Sequence, residues 1–315
     1  MLEFESMFSI SVIIPVYNAE KFLIRAIESV LIQPEVTEII LIEDNSPDNC
    51  YEICREFSAK DPKVKLYCHE GRQNRGAGES RNLGIKKATN EFIAFLDADD
   101  YYLSNRFKND REIFKTRKDI DGVYNAIAPY AIDNFGKARL KHIENLMTMS
   151  EIVSPKELFY KMDPIGSSGF FSLNGFTVKR ESLFDIGLFD KTLRLSQDTH
   201  FFIKLAAKKN LLSGILDTPV AMYALHEHNR SHDLDKIQLT RPYLFYSLYK
   251  WGVSEKLDTD KIYLLWKMYY IYAKSVYGMV NRIDQLKLLS KSFIENPGII
   301  RSKFYRNQLP IFGRF

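Results

Sequence analysis

Two aspartates with one residue between them, Asp97 and Asp99, follow the apolar stretch 92–96. Paired carboxylates can hold Mg²⁺ or Mn²⁺ together with a nucleotide diphosphate, because the cation cancels the repulsion between the two sets of negative charges. On a regular strand, Asp97 and Asp99 would share one face and Asp100 would take the other. One carboxylate could then bind the metal and the other a ribose hydroxyl. A helix N-cap or an Asx turn is the alternative, since aspartate is favoured at both.

Two further apolar stretches also end in polar residues. The stretch 11–15 runs into Val16-Tyr17-Asn18, and the stretch 39–42 runs into Glu43-Asp44. Ligands of open α/β sheets bind in the crevice beyond the carboxyl ends of the strands. Three polar strand ends therefore predict one site at this edge of a sheet.

The elements that must position these residues are alternating strands and helices. The sequence predicts strands at 10–15, 39–43, 64–68 and 92–97, and helices at 20–32, 48–59 and 78–88. Apolar residues of the first helix recur with a period of 3.6, at Phe22, Leu23, Ala26, Ile27, Val30 and Leu31. Such alternation predicts an α/β fold with a doubly wound, mostly parallel sheet.

Glycine-rich phosphate loops do not account for a nucleotide site here. Gly76-Ala77-Gly78 lacks the third glycine of a dinucleotide-binding turn, and no G-x-x-x-x-G-K-[ST] motif occurs. A diphosphate would then need a metal and cationic side chains, for which Arg75 and Arg81 are candidates. The alternative is a solvated loop arginine and a helix-surface arginine.

Four motifs resemble, in order and spacing, the N-terminal signature of family 2 glycosyltransferases. They are Ser11-Val12-Ile13-Ile14-Pro15-Val16-Tyr17-Asn18, Ile42-Glu43-Asp44-Asn45-Ser46-Pro47-Asp48, Asn74-Arg75-Gly76 with Ser80-Arg81-Asn82-Leu83-Gly84, and Phe95-Leu96-Asp97-Ala98-Asp99-Asp100. The resemblance extends over residues 9–230. It implies a GT-A fold, a nucleotide-sugar donor, a divalent metal (Mn²⁺ or Mg²⁺) and inversion at the anomeric carbon.

The resemblance also implies the residues of the donor site. They are Pro15, Val16, Tyr17, Asn18, Glu20, Asp44, Arg75, Gly76, Arg81, Asp97 and Ala98. The family position matched by Asp44 accepts a hydrogen bond from the base, which favours UDP and leaves dTDP and GDP open. Asp99 and His226 are the implied metal ligands, and the spacing fits His226 better than His228. A structural role is the alternative for this histidine.

On the acceptor side, Gln197-Asp198 stands where the family usually carries Glu-Asp, at the start of a helix predicted over 199–209. Asp198 is the candidate catalytic base that takes the proton of the acceptor hydroxyl. The alternative is an acidic side chain that only complements the helix dipole. Gln197 is neutral, so whatever the usual glutamate contributes is changed. Gly175 matches a family glycine near the acceptor.

Composition fits one large domain with an appended segment. The 315 residues are 45% hydrophobic and 13% aromatic, which supports a sizeable core. The net charge of +4 is unevenly placed, because residues 241–315 hold 13 Lys and Arg against 5 Asp and Glu. We expect a catalytic domain at 1–240, with a donor half at about 9–110 and an acceptor half at about 111–240, followed by a basic, aromatic-rich helical tail at 241–315.

Two interpretations of the tail remain open. Lys267 and Lys274 interrupt its most apolar stretch, which argues against a transmembrane span. The tail could form a helical bundle packed on the catalytic domain. Alternatively, amphipathic helices could make a peripheral contact with an anionic membrane surface. In such a contact, four basic side chains would face the lipid headgroups, namely Arg301, Lys303, Arg306 and Arg314.

The three cysteines favour a reducing compartment. They are odd in number, and residues 1–9 lack the basic region of a secretory signal. The expected location is cytoplasmic, with peripheral contact at the inner face of the cytoplasmic membrane as an extension. A zinc site built from Cys50, Cys54, Cys68 and His69 is a minor alternative, because Cys50 and Cys54 fall in an ordinary helix.

The resemblance implies an enzyme that transfers one hexose or N-acetylhexosamine from a nucleotide sugar, UDP favoured, to a glycan or lipid-linked acceptor. Surface polysaccharide or lipopolysaccharide assembly is the expected setting, and no nucleic-acid partner is expected. Neither Trp251 nor Trp266 lies in the Q-x-x-R-W motif of processive family members. Gln197 motivates an alternative, a catalytically silent module that binds a sugar nucleotide or glycan. A nucleotidyltransferase is a lesser alternative, since its glycine-rich signature is missing.

Overall fold

The predicted alternation of strands and helices is confirmed in the computed structural model, which describes residues 8–143, 145–227, 229, 234–277, 297, 298 and 302. The elements of the first half are β1 (Ile10–Val16), α1 (Glu20–Leu31), β2 (Val36–Glu43), α2 (Cys50–Lys60), β3 (Val64–Cys68), α3 (Ala77–Lys87) and β4 (Phe92–Phe95). Side chains of β1, β2 and β4 are buried almost throughout, because helices cover both faces of this parallel sheet.

The main sheet has seven strands in the order β3-β2-β1-β4-β8-β6-β9, where β6 is Gly122–Tyr124, β8 is Phe176–Lys179 and β9 is Leu211–Ser213. β8 runs antiparallel to both of its neighbours, and the other pairs are parallel. β1 lies between β2 and β4, with Val16 opposite Glu43 and Ile13 opposite Phe95. The three polar strand ends therefore lie at one edge, as the sequence predicts.

A second sheet of three strands joins residues far apart in the sequence. Its order is β5-β10-β7, formed by Tyr101–Tyr102, Ala221–Leu225 and Ala128–Ala131. β10 runs antiparallel to β5, with Met222 opposite Tyr101. The end of β10 consequently returns alongside the residues that precede β5, which are those of the D-x-D motif.

The helices of the second half and the tail are α4 (Lys108–Thr116), α5 (Asn134–Leu140), α6 (Pro155–Lys161), α7 (Arg180–Asp185), α8 (Gln197–Lys208), α9 (Leu234–Ser254) and α10 (Thr259–Tyr277). Within the described part of the chain, no helix combines the length and the apolar character needed to cross a bilayer.

The strand predicted over 92–97, on which Asp97 and Asp99 would share one face, ends before both aspartates. β4 ends at Phe95, and only the backbone N–H of Leu96 still bonds to β1, donating to Ile13 O at 3.1 Å. The chain then turns, with the N–H of Asp100 donating to Asp97 O at 3.0 Å. The D-x-D motif therefore lies in a turn, where side-chain directions are set by local hydrogen bonds and not by the pleat.

The zinc site considered from the sequence does not form among the described residues. No group of three or more His, Cys, Asp or Glu side chains in them is arranged to hold a metal ion. Cys50 and Cys54 are buried in α2, and burial raises the pKa of Cys50 to about 12. These thiols stay protonated at neutral pH and act as core side chains, whereas zinc requires thiolates.

The domain boundary predicted at residue 241 falls inside α9, which runs from Leu234 to Ser254, and the division into two domains stays a prediction. Leu244, Phe245 and Leu248 of α9 and Trp266 of α10 belong to the same buried cluster as Phe95 of the central sheet. Of the two interpretations of the tail, the helical bundle packed on the catalytic part describes α9 and α10. The four basic residues assigned to a membrane contact lie outside the described residues.

Polar contacts also join α9 to the catalytic part. Ser247 donates to Asp190 at 2.7 Å, and its Oγ lies 3.3 Å from His200 Nε2 on α8. Burial lowers the pKa of His200 to about 3, so this imidazole is neutral at pH 7. An ion pair between Lys208 and Glu255, at 2.5 Å, closes the far end of the interface. α9 therefore supports the helix whose first turn carries Asp198.

We expect Leu248→Ala to destabilise the whole protein by about 2–5 kcal/mol, because it leaves a cavity in a fully buried site. Urea unfolding followed by circular dichroism should show one transition shifted to lower urea. Leu239→Ala is the matched control, since Leu239 lies on the same helix with 56% of its surface exposed. A shift confined to a separate minor transition would show that the tail folds independently.

Candidate active site

The first two strand ends are tied to each other by hydrogen bonds. The backbone N–H of Asn18 donates to Ser46 Oγ at 3.3 Å, and that of Glu20 donates to Asp48 at 2.9 Å. Glu20 in turn accepts a bond from Asn49 N at 3.3 Å. Glu20, predicted at the donor site, therefore helps to join the β1 and β2 loops.

Asp44 is held by backbone amides at the end of β2. The N–H groups of Arg75 and Gly76 donate to its two carboxylate oxygens, both at 2.7 Å. His69 Nε2 lies 3.5 Å from the same carboxylate, and burial lowers the pKa of His69. Gly76 has a φ of +86°, which suits glycine and turns its N–H toward Asp44. Asp44 is thereby fixed while each oxygen keeps a lone pair for a ligand donor.

Arg75 donates its backbone N–H to Asp44 and is exposed to solvent, and its role as a cation for the diphosphate stays a prediction. Arg81 lines the cleft, and its Nη2 lies 2.5 Å from Asp97 Oδ1. The Arg81 side chain is 8% exposed and that of Asp97 is 37% exposed. The pair thus leaves Asp97 open to the cleft with its charge partly compensated.

His226 and Asp99 meet across the two sheets. His226 Nε2 lies 3.1 Å from Asp99 Oδ2, and the imidazole stacks on Phe22 with the ring centroids 5.3 Å apart. The backbone N–H of His226 donates to Asn229 Oδ1 at 2.7 Å. The predicted pair of metal ligands is therefore together, whereas His228 lies outside the described residues.

One carboxylate and one imidazole suit Mn²⁺ or Mg²⁺ only if other ligands complete the shell. Such hard cations are commonly held by one or two carboxylates together with substrate phosphates and water. Asp99 and His226 fit that arrangement, because both line the cleft into which the strand ends open. Asp100 is fully buried, so its carboxyl group has no access to the cleft. Burial also raises its pKa well above the ordinary value.

Asp198 lies in the first turn of α8 and is exposed to the cleft. Its Oδ1 accepts a bond from Thr199 N at 2.9 Å. Its other oxygen, Oδ2, has no hydrogen bond to the described residues. The helix begins two residues earlier than predicted, so the aspartate is part of the helix and its direction is fixed by the backbone.

Gln197 is largely buried, and it also lines the cleft. Its Nε2 donates to Leu193 O, and a Cβ added at Gly78 would lie 2.6 Å from the same nitrogen. Gly78 thus allows the start of α8 to approach α3. A glutamate could not donate this bond, which gives a structural reason for the departure from Glu-Asp.

These groups surround one cleft of about 1810 Å³. That volume exceeds a typical small-molecule pocket of roughly 300–1,000 Å³ and leaves room for two substrates. The predicted residues that line it are Pro15, Val16, Tyr17, Asn18, Asp44, Arg81, Asp97, Ala98, Asp99, Gln197, Asp198 and His226. The predicted residues outside the lining are Glu20, Arg75, Gly76 and Gly175.

Gly175 lies behind the cleft, in the short turn Leu173–Gly175. Its carbonyl accepts bonds from the backbone N–H of Asn125 at 2.9 Å and from Asn125 Nδ2 at 3.1 Å. These contacts give Gly175 a structural place next to Leu173, which does line the cleft. The acceptor role of Gly175 stays a prediction.

The sequence analysis did not single out three arginines that line the cleft, which are Arg139, Arg194 and Arg241. Arg194 Nη1 lies 2.8 Å from the place where a Cβ of Gly76 would be, and it has no ion pair with a described residue. Its position four residues before Asp198 is the signal that could have found it. Arg241 of α9 donates to Tyr272 Oη and lies over that ring, 4.8 Å from its centre. Only the packing of α9 brings Arg241 to the cleft.

Comparisons with family models and with curated proteins identify the same kind of protein. The model of "Glycosyl transferase family 2" matches residues 11–178. An uncharacterized glycosyltransferase of Rickettsia bellii is 34% identical over 207 residues, covering 65% of this chain and 27% of the relative. The minor teichoic acid biosynthesis protein GgaB of Bacillus subtilis is 39% identical over 114 residues, covering 35% of this chain and 12% of the relative. The chain therefore spans less than a third of the length of either relative.

A solved structure shares the fold. Staphylococcus aureus TarS 1–349 in complex with UDP-GlcNAc superposes with a TM-score of 0.60 at 19% identity, covering 90% of this chain and 79% of that one. At this identity the likeness shows the fold alone, which is the expected GT-A architecture.

Proposed function

The chain belongs to glycosyltransferase family 2, and from this premise we propose that it transfers a single hexose or N-acetylhexosamine from a UDP-sugar to an acceptor hydroxyl, with inversion. The observation that carries the proposal is the convergence of three groups on one cleft. These are the anchored carboxylate of Asp44, the pair formed by Asp99 and His226, and the exposed carboxylate of Asp198.

The donor end of the cleft is built for a nucleoside diphosphate. Asp44 can accept a hydrogen bond from the imide N–H of uracil, and the exposed ring of Tyr17 can flank the base. Asp97, partly neutralised by Arg81, can accept a bond from a ribose hydroxyl. Arg194 adds a cation without an ion-pair partner among the described residues, next to the start of α3. When bound at Asp99 and His226, Mn²⁺ or Mg²⁺ would supply charge that offsets the diphosphate.

The exposed position of Asp198 in the cleft supports its proposed role as the catalytic base. Its carboxylate takes the proton of the acceptor hydroxyl as that oxygen forms a bond to the anomeric carbon. The bond from that carbon to the diphosphate oxygen breaks on the opposite side, which inverts the configuration and releases UDP. Arg194 and Arg81 stabilise the charge that develops on the leaving group.

We propose a glycan or lipid-linked acceptor of surface polysaccharide assembly. GgaB carries a name from teichoic acid biosynthesis, and TarS has been crystallised with UDP-GlcNAc. The catalytically silent module was motivated by Gln197. Because that side chain bonds to Leu193 and leaves Asp198 in place, we retain transfer as the proposal. Peripheral membrane contact and a cytoplasmic location stay predictions.

A thermal-shift panel tests the donor class. Purified protein would be heated with UDP, GDP, dTDP or CDP, each with Mn²⁺ or EDTA. We expect UDP with Mn²⁺ to give the largest shift in unfolding temperature. A ligand at 100 times its Kd stabilises the native state by about 2.7 kcal/mol. A larger shift with GDP would reassign the donor, and no shift with any nucleotide would contradict the proposed donor site.

A further inference from the structure

Asn174 bridges the two ends of the turn that contains the D-x-D motif. Its Oδ1 accepts a bond from the backbone N–H of Asp97 at 3.1 Å, and its Nδ2 donates to Asp100 Oδ2. Asn174 lies in the short turn Leu173–Gly175 and is 1% exposed. A single amide thus holds the first and the last residue of the segment 97–100.

The same contact reaches the strand that carries His226. Asp100 uses its other oxygen, Oδ1, to accept a bond from Ala224 N at 2.7 Å. Ala224 belongs to β10 and precedes His226 by two residues. Asn174, Asp100 and Ala224 therefore form a buried chain that connects the backbone on both sides of the Asp99 and His226 pair.

Asn174 is itself held from behind by a buried ionic network. The backbone carbonyl of Asn174 accepts a bond from Arg106 Nε at 3.1 Å, and Arg106 pairs with Asp110 at 2.8 Å. Asp110 also accepts bonds from Thr177 Oγ1 at 2.6 Å and Asn125 Nδ2 at 2.9 Å. Arg106 and Asp110 are fully buried as side chains, and such a pair persists only where its hydrogen bonds are satisfied. The backbone of Asn174, from which the side-chain amide extends, is consequently held in place.

From these contacts we infer that Asn174 is a positioning residue for the divalent metal, an inference that rests on the metal of the proposed function. Asn174 does not touch the metal ligands, but it fixes the turn that presents Asp99 relative to β10. A side-chain amide accepts from an N–H with its oxygen while it donates to a carboxylate with its nitrogen. Aspartate loses the donor and adds a negative charge beside Asp100, and leucine of similar size loses both bonds.

The test is a Mn²⁺ titration followed by electron paramagnetic resonance, in which the signal of free aqueous Mn²⁺ disappears on binding. Wild type, N174D and N174L would each be titrated at saturating UDP. We expect both variants to bind Mn²⁺ about 10- to 100-fold more weakly, which is the usual effect of removing a group that orients metal ligands. N174D preserves the size of the side chain, so it remains informative if N174L does not fold.

Asn82 supplies a matched control. It is also a buried asparagine whose amide makes two bonds, accepting from Phe189 N at 2.9 Å and donating to Phe189 O at 3.0 Å. N82L should lower the unfolding midpoint as N174L does and leave the Mn²⁺ affinity unchanged. Mn²⁺ affinity of both Asn174 variants equal to that of wild type would overturn the inference and leave Asn174 a structural residue only.

Uridine binding separates this inference from the proposed function. Calorimetry with uridine in EDTA reports the base site without the diphosphate or the metal, and all variants should match wild type. If wild type binds uridine but takes up no Mn²⁺ with UDP, the metal and the inference both fail while the base site stands. If wild type does not bind uridine, the donor site of the proposed function is wrong.

Discussion

Replacing Asp198 with asparagine will slow sugar transfer by about 10²- to 10⁴-fold, the range that general base catalysis supplies. Asparagine has nearly the same shape, so α8 and its contacts should persist. UDP affinity should not change, because Asp198 lies on the acceptor side of the cleft. The measurement is single-turnover transfer from a UDP-sugar, with UDP affinity determined separately by calorimetry.

Asp217 offers a matched control for Asp198. It is also an exposed aspartate that lines the cleft, but no role in the reaction is assigned to it. Asp217→Asn should therefore leave transfer unchanged. Equal transfer by Asp198→Asn and wild type would refute the assigned base. A wild-type protein that binds UDP-sugars but transfers nothing to any acceptor would favour the silent binding module.

The donor half could be predicted because its signals are local. Apolar stretches that end in Asp44 and Asp97 mark strand ends, and parallel strands bring those ends to one edge. Hydrophobic periodicity places α1, and the resemblance to the family implies the pair of Asp99 and His226. Each of these inferences uses a pattern within a few residues or a motif of known order.

The remaining features depend on contacts between distant residues. The end of β4 at Phe95 follows from the bonds of Asn174 to the D-x-D turn, and nothing near Phe95 in the sequence shows them. The bond from Arg75 to Asp44 uses the backbone N–H, which every residue other than proline could supply. Sequence patterns identify side-chain types, and they do not show which hydrogen bonds the backbone makes.

The tail shows the same limit on a larger scale. Its aromatic richness predicts burial but not the surface that buries it, so a helical bundle and a membrane contact were equally consistent with it. The packing of Phe245 and Trp266 into the central cluster decides for the bundle in α9 and α10. Arg241 reaches the cleft only as a result of that packing.

Removing the carboxylate of Asp99 should be the second large effect. We expect Asp99→Ala to lower transfer at least about 10²-fold even in excess Mn²⁺, because charge stabilisation by a bound metal is worth several kcal/mol in such reactions. Transfer would be measured across a range of Mn²⁺ concentrations. Asp185→Ala is the control, since Asp185 is an exposed carboxylate paired with Lys209 and does not line the cleft. Unchanged transfer by Asp99→Ala would contradict the metal site.

A double variant asks whether Asp99 and His226 act on the same ion. If both hold one metal, losing either ligand already removes most of its effect, and Asp99→Ala with His226→Gln should be little worse than the more damaging single change. If the losses multiply instead, the two side chains act separately, and the distance of 3.1 Å between them reflects only an ion pair. Direct Mn²⁺ binding at saturating UDP would distinguish these cases, because a shared ion predicts that each single variant loses affinity for the metal.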